Sequence, residues 1–174
     1  MDSGDIYMSA LNKEEIEKRI VEEDLISDYI DLKKQLQPNG FDCTLKEVEK
    51  LSEAGKIDFD NTQRELPQGE PVNFEDEWAF LGEGTYRAYL NEVVKLDNSI
   101  MAIGRPRSTL ARAGVGLITA VWDAGYSGRS VVGLVVHNPG GVWLKRNARI
   151  MQLVFIKLSG LTEAYTGVYQ GENI

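Results

Sequence analysis

Residues 121–141 read VWDAGYSGRSVVGLVVHNPGG, and this stretch decides the fold class. Ser130 to His137 is an apolar run of strand length, closed by the turn residues Asn138-Pro139-Gly140-Gly141. Before it, Val115 to Val121 is a strand candidate and Trp122-Asp123-Ala124-Gly125 a turn. After it, Val142 to Leu144 and Ile150 to Leu158 are further strands, with Asn147 at the turn between them. Upstream, Gly82-Glu83-Gly84 signals a turn into a strand over Thr85 to Leu90, and residues 92–96 alternate only in part before Asp97-Asn98. Phe41 to Leu45 is a short strand, residues 46–54 fit a helical turn or a strand, and residues 55–77 suggest hairpins or a long loop. Residues 12–36 are expected to be helical: Asn12 is the N-cap, and Ile16, Ile20, Leu25, Ile26, Ile30 and Leu32 recur at roughly helical spacing up to Pro38-Asn39-Gly40. Many short strands between regular turns imply a mainly β chain, a closed or double-layered antiparallel fold with an N-terminal helix.

Composition narrows the function. At 174 residues, one domain spanning 1–174 is expected, with a helical segment over 1–36 and a polar tail over 160–174 that reads as a mobile lid. The acidic N-terminus has no signal-peptide pattern and no apolar run is of transmembrane length, so a cytoplasmic protein with no membrane partner is expected. One cysteine, Cys43, and one histidine, His137, leave no disulfide framework and no Cys/His zinc site. His137 beside a turn is more often structural than catalytic. The net charge of −8 argues against nucleic acid as a partner. That charge is uneven: residues 1–90 hold 22 acids and 10 bases, whereas residues 91–174 hold 5 acids and 9 bases. The basic half suits a small, multiply charged anion; a solvated acidic face in the other half explains the asymmetry equally well.

Four segments hold the residues able to do chemistry. Arg105 to Arg112 packs Arg107, Ser108, Thr109 and Arg112 into one short stretch, either an anion site or a helix start with solvated arginines. Asp123 and Tyr126 stand either as turn and core residues or as a water-activating carboxylate beside a stacking ring. Gln152 interrupts an apolar strand and must find partners in the fold or on a ligand. Tyr165, Tyr169 and Gln170 lie among glycines in the tail, as a closing lid or a docked end.

Taken in order, the segments resemble the dCTP deaminase/dUTPase family. Gln37-Pro-Asn-Gly-Phe-Asp42 is similar to its Gln-Pro-x-x-x-Asp motif, and Pro106-Arg-Ser-Thr-Leu-Ala-Arg112 to its Arg-Ser-Ser/Gly-x-Ala motif. Val121-Trp-Asp123-Ala-Gly-Tyr126-Ser-Gly128 resembles Ile-Asp-x-x-Tyr/Phe-x-Gly, Arg149-Ile-Met-Gln152-Leu resembles Arg-Ile-x-Gln-Leu, and the tail resembles the deaminase-like branch ending Tyr-x-Gly-Lys-Tyr-Gln-Gly. The likeness runs from about residue 8 to residue 172. It implies a distorted β-barrel or jelly-roll subunit, a homotrimer with active sites between subunits, and a deoxynucleoside triphosphate whose phosphates hold Mg²⁺.

The resemblance also implies the chemistry. The family's deaminases carry a glutamate ten residues beyond the aspartate, where this chain has Gly133, and no acid lies between Asp123 and Glu163. Deamination therefore lacks its proton shuttle, and hydrolysis of dUTP to dUMP and pyrophosphate is expected. Asp123 is then the catalytic residue that activates water, and Gln152, Ser108 and Thr109 lie near the phosphates with Arg107 and Arg112. Tyr126 lies under the deoxyribose, Gly133 lets the backbone approach uracil, and Tyr165, Tyr169 and Gln170 close the site. The tail departs from the pattern at Val168, where lysine is expected, and at Glu172, where glutamine is frequent. The rival readings are a dCTP deaminase or bifunctional deaminase–diphosphatase, and a nucleotide-binding protein without turnover.

Overall fold

The computed structural model describes residues 9–174, so the first part of the segment 1–36 and the start of the family likeness lie outside the described residues. The expected β class is what the chain adopts: the described residues form thirteen strands, nearly all in one curled antiparallel half-barrel. Two central strands are long, β4 (Gly40–Leu51) and β7 (Gly84–Lys95). Around them the order is β10 (Val121–Trp122), β8 (Ile100–Pro106), β13 (Arg149–Lys157), β4, β7, β11 (Ser127–Val136) and β9 (Val115–Ile118). Short strands β1 (Ser9–Ala10), β2 (Ile26–Ser27), β3 (Leu36–Gln37) and β5 (Gly69–Pro71) edge this sheet, and β6 (Trp78–Leu81) pairs with β12 (Val142–Lys145) apart from it.

The curl follows from β4. Its first half pairs with β13 (Asp42 opposite Gln152) and its second half with β7 (Val48 opposite Ala88). The registers shift at the changeover, between Leu45 and Glu47 on β4 and between Arg149 and Met151 on β13. Such irregularities bend a strand and increase its twist. Inside the curl, alternate residues of β7 and β11 are buried, and Phe41, Leu90, Leu134, Ile150, Leu153 and Phe155 form part of the core.

At the bend sits a buried carboxylate. Glu92 of β7 is fully buried and accepts from Thr44 N at 2.9 Å, Thr44 Oγ at 2.6 Å and Gln35 Nε2 at 2.6 Å. Asn91 Nδ2 donates to Thr44 Oγ at 2.9 Å, which turns the threonine proton toward Glu92. Gln35 Oε1 in turn accepts from Ile30 N and Asp31 N, tying the helix α2 (Leu32–Gln35) to the sheet. Burial pushes the Glu92 carboxyl above its usual range, and these donors oppose that push.

Several local expectations need correction. The helix expected over 12–36 ends early. The helix α1 (Lys13–Glu23) has the expected Asn12 cap, with Asn12 Oδ1 accepting from Glu15 N and Glu15 returning the bond. It buries Ile16 and Ile20, but the next positions on that stripe are acidic, and Asp24 stops the helix in the left-handed region at φ 56°. Leu25 and Ile26 are buried instead beside and within β2, which pairs with β7. Residues 46–54 are strand as far as Leu51, and the segments 85–90 and 92–96 belong mainly to one strand, because Glu92 is an inward-facing residue. The strand expected over 115–121 is two, β9 and β10, belonging to opposite ends of the sheet order. No helix among the described residues is long and apolar enough to cross a membrane.

Replacing Glu92 with Gln sets an amide donor against one of its three donors. We expect a loss of roughly 1–3 kcal/mol in chemical denaturation. An unchanged midpoint would show that the bend does not depend on the carboxylate.

Candidate active site

A cavity of about 610 Å³ opens beside the β10–β11 turn, a size suited to a small molecule. Asp123, Tyr126, Gly133, Tyr165 and Tyr169, all singled out in the sequence, line it together with Glu172. The turn builds this arrangement. Tyr126 N donates to Asp123 O at 3.1 Å, leaving Asp123 exposed and Tyr126 buried four residues after the core-facing Trp122. Gly125 makes the turn possible: its φ is +79°, and a Cβ there would lie 2.6 Å from the Ala164 Cβ.

The tail lies against this turn. Tyr165 N donates to Ala124 O at 2.8 Å, Gly171 N to Ser127 O at 2.8 Å, and Arg129 N to Glu172 O at 2.9 Å. Gln170 accepts from Ser127 N at 2.9 Å and donates to Gly125 O at 2.9 Å, so it pins the tail from outside the cavity. The Tyr165 ring meets Tyr126 edge-on with centroids 5.9 Å apart. Arg64 covers Tyr169, with its guanidinium 5.5 Å from the ring centroid.

Within the wall, Trp122 Nε1 donates to Ser130 Oγ at 2.7 Å, Ser130 Oγ and Tyr126 Oη are 2.9 Å apart, and Tyr126 Oη donates to Glu172 Oε1 at 2.8 Å. Burial pushes the Tyr126 hydroxyl well above the usual tyrosine range, and the neighbouring Glu172 adds to the shift. The Glu172 carboxyl is raised by burial, and its bond from Tyr126 offsets part of that.

The other candidates gather elsewhere. Asp42, almost wholly buried on β4, lies 2.9 Å from Arg107 Nε and 3.2 Å from Arg149 Nη1. Burial raises its carboxyl and the two arginines oppose that, Arg107 more than Arg149. Gln152 lies opposite Asp42 on one side and Arg105 on the other. Arg107 leads into the helix α3 (Ser108–Arg112), where Ser108, Thr109 and Arg112 are exposed. None of Arg107, Ser108, Thr109, Arg112 and Gln152 lines the cavity. One chain thus carries a ring-lined pocket with a carboxylate at its edge and, separately, a cationic and hydroxyl cluster. His137 is exposed beyond the end of β11 and outside the cavity.

Arg87, Tyr89, Trp122 and Ser130 also line the cavity without being singled out as site residues in the sequence, and the last two join the bonds that hold Tyr126. Ser130 carried a legible signal, a hydroxyl on the inward face of an alternating strand. Arg87 and Tyr89 carried none, because β7 reaches the pocket only through its pairing with β11.

Gly125→Ala strains the turn and crowds Ala164. We expect roughly 1–3 kcal/mol of lost stability and a tail that chymotrypsin cuts faster, read by thermal melting and timed digestion; wild-type behaviour in both would contradict this account of the turn.

The chain is similar to known proteins over most of its length. The family model described as dCTP deaminase-like matches residues 10–158. A probable deoxyuridine 5'-triphosphate nucleotidohydrolase of Archaeoglobus fulgidus is 62% identical over 167 residues, covering 96% of this chain and 99% of the relative. One of the same name from Methanosarcina mazei is 47% identical over 169 residues, covering 95% and 99%. Among solved structures, the 2'-deoxycytidine 5'-triphosphate deaminase of Agrobacterium tumefaciens superposes with a TM-score of 0.68 at 20% identity. That match covers 86% of this chain and 48% of the deaminase chain, and it supports the fold alone.

Proposed function

The chain belongs to the dCTP deaminase-like family, and we propose that it is a dUTP diphosphatase, converting dUTP and water to dUMP and pyrophosphate. The observation that carries this reading is the pocket: Asp123 at its edge, Tyr126 in its wall, and Gly133 on a strand whose segment 130–136 has no titratable side chain. Deamination of a cytosine ring needs a group there that moves protons. A side chain at position 133 is also poorly accommodated, since its Cβ would lie 3.0 Å from the Ile118 Cβ.

Diphosphate hydrolysis asks for less. Asp123 takes a proton from a water molecule as that water attacks the α-phosphorus; the bond from the α-phosphorus to the bridging oxygen breaks, and pyrophosphate leaves. Tyr126 packs beneath the deoxyribose, and the Gly133 backbone approaches the uracil edge. The phosphate charge is met by Ser108, Thr109 and Arg112 of α3, with Gln152 near the α-phosphate and Arg107 held beside them by Asp42. Since these residues lie outside the Asp123 pocket of the same chain, we assign them to a neighbouring copy, in a homotrimer with its sites between subunits. Tyr165, Tyr169 and Gln170 hold the tail over the pocket as its lid.

Among the described residues no three His, Cys, Asp or Glu side chains converge on a metal position. In this reading Mg²⁺ is carried by the triphosphate. When bound, Mg²⁺ supplies neutralisation of the phosphate charge. The single cysteine, Cys43, is buried, and a reducing cytoplasmic setting accords with one unpaired thiol.

Asp123→Asn keeps the shape and removes the proton acceptor. We expect kcat for dUTP to fall by about 10²–10⁴-fold with KM little changed; retained turnover would refute the assignment. Arg112→Ala is expected to lose activity through phosphate contact. Co-refolding that variant with Asp123→Asn restores part of the activity if the site is shared between copies, and restores none if each chain builds its site alone.

A further inference from the structure

The bonds linking Trp122, Ser130, Tyr126 and Glu172 run in one direction, because both ends are chemically fixed. An indole N–H can only donate, so Ser130 Oγ accepts from Trp122 at 2.7 Å. An ionised carboxylate can only accept, so Tyr126 Oη donates to Glu172 at 2.8 Å. The one tyrosine proton is thereby committed. The 2.9 Å contact between Tyr126 Oη and Ser130 Oγ is then made with the serine proton. Trp122, Ser130 and Tyr126 are each no more than 6% exposed. The ring is held from the barrel interior by one bond and from the tail by the other. Gly128 keeps the space clear: a Cβ there would lie 3.0 Å from the Tyr126 Cζ and 3.1 Å from the Glu172 Cγ.

We infer that Ser130 and Glu172 are positioning residues that fix the Tyr126 ring in the pocket wall and so set how strictly the pocket rejects a sugar bearing a 2′-hydroxyl. This inference rests on the reading of the pocket as a dUTP site. A wall excludes one extra hydroxyl only while it cannot move aside, and an aromatic ring anchored at its hydroxyl on two sides has no such freedom. The role of residue 172 is that of an acceptor, not of a charge. A glutamine carbonyl oxygen serves the same bond, whereas alanine leaves Tyr126 tied to Ser130 alone and removes one of the bonds that hold the tail.

The test compares kcat/KM for dUTP and UTP in the wild-type chain and in Ser130→Ala, Glu172→Ala and Glu172→Gln, with timed chymotryptic cleavage at Tyr169 as a second readout. Glu172→Ala and Ser130→Ala are expected to lower the dUTP:UTP ratio by about fivefold or more, while Glu172→Gln stays within about twofold of wild type. Glu172→Ala should also be cleaved faster at Tyr169 than Glu172→Gln. A ratio unchanged in Glu172→Ala, or lost equally in Glu172→Gln, overturns the inference. If the wild-type chain does not hydrolyse dUTP, the functional reading fails separately. Cleavage then decides positioning alone, and equal rates in Glu172→Ala and Glu172→Gln overturn it.

Discussion

Halfway along β4 the strand exchanges β13 for β7, and there the Thr44 N–H turns to the Glu92 carboxylate. A buried backbone donor without a partner is costly, so a strand that bends between two neighbours needs some group at the bend. Glu92 fills that need and gathers Gln35 and the Thr44 hydroxyl as well, so one side chain binds α2, β4 and β7. A lone buried carboxylate would be prohibitive. Three short hydrogen bonds make it tolerable and give the bend a defined geometry.

The same sheet positions the candidate residues. The first half of β4 carries Asp42, which holds Arg107 and Arg149 and faces Gln152 across the β4–β13 ladder. The second half supports β7, and β7 supports β11, which forms the wall behind Tyr126 and Gly133. The ring-lined pocket also takes Val121 and Trp122 of β10, which pairs with β8, so it draws on both halves of the curled sheet. Within one chain the hydroxyl and cation cluster lies outside the pocket, and the proposed assembly is what brings the two together.

Much of this was legible in the sequence, where the signal was local. The Asn12 cap, the turn at Gly82-Glu83-Gly84 and the run from Ser130 rest on neighbouring residues, and the strands and helix that they announce are present. Asp123, Tyr126, Gly133, Tyr165 and Tyr169 come from three stretches of sequence and meet one cavity, whereas Arg107, Ser108, Thr109, Arg112, Gln152 and Gln170 do not line it. The failures share a cause. A helical reading runs past Glu23 because Leu25 and Ile26 are apolar, but their burial is in and beside a strand paired with β7. Glu92 made its segment look irregular, since an acid on an inward face is intelligible only once Thr44 and Gln35 stand opposite. Glu172 was noticed only as a departure from a motif, because its partner lies 46 positions away.

On the proposed reading, this pocket hydrolyses dUTP and leaves cytosine alone. The direct measurement is incubation of the purified protein with Mg²⁺ and either dUTP or dCTP, with chromatography of the nucleotides and an assay for pyrophosphate. The account predicts dUMP and pyrophosphate from dUTP, and dCTP recovered unchanged. Conversion of dCTP to dUTP or dUMP, or dUTP recovered intact, would contradict it.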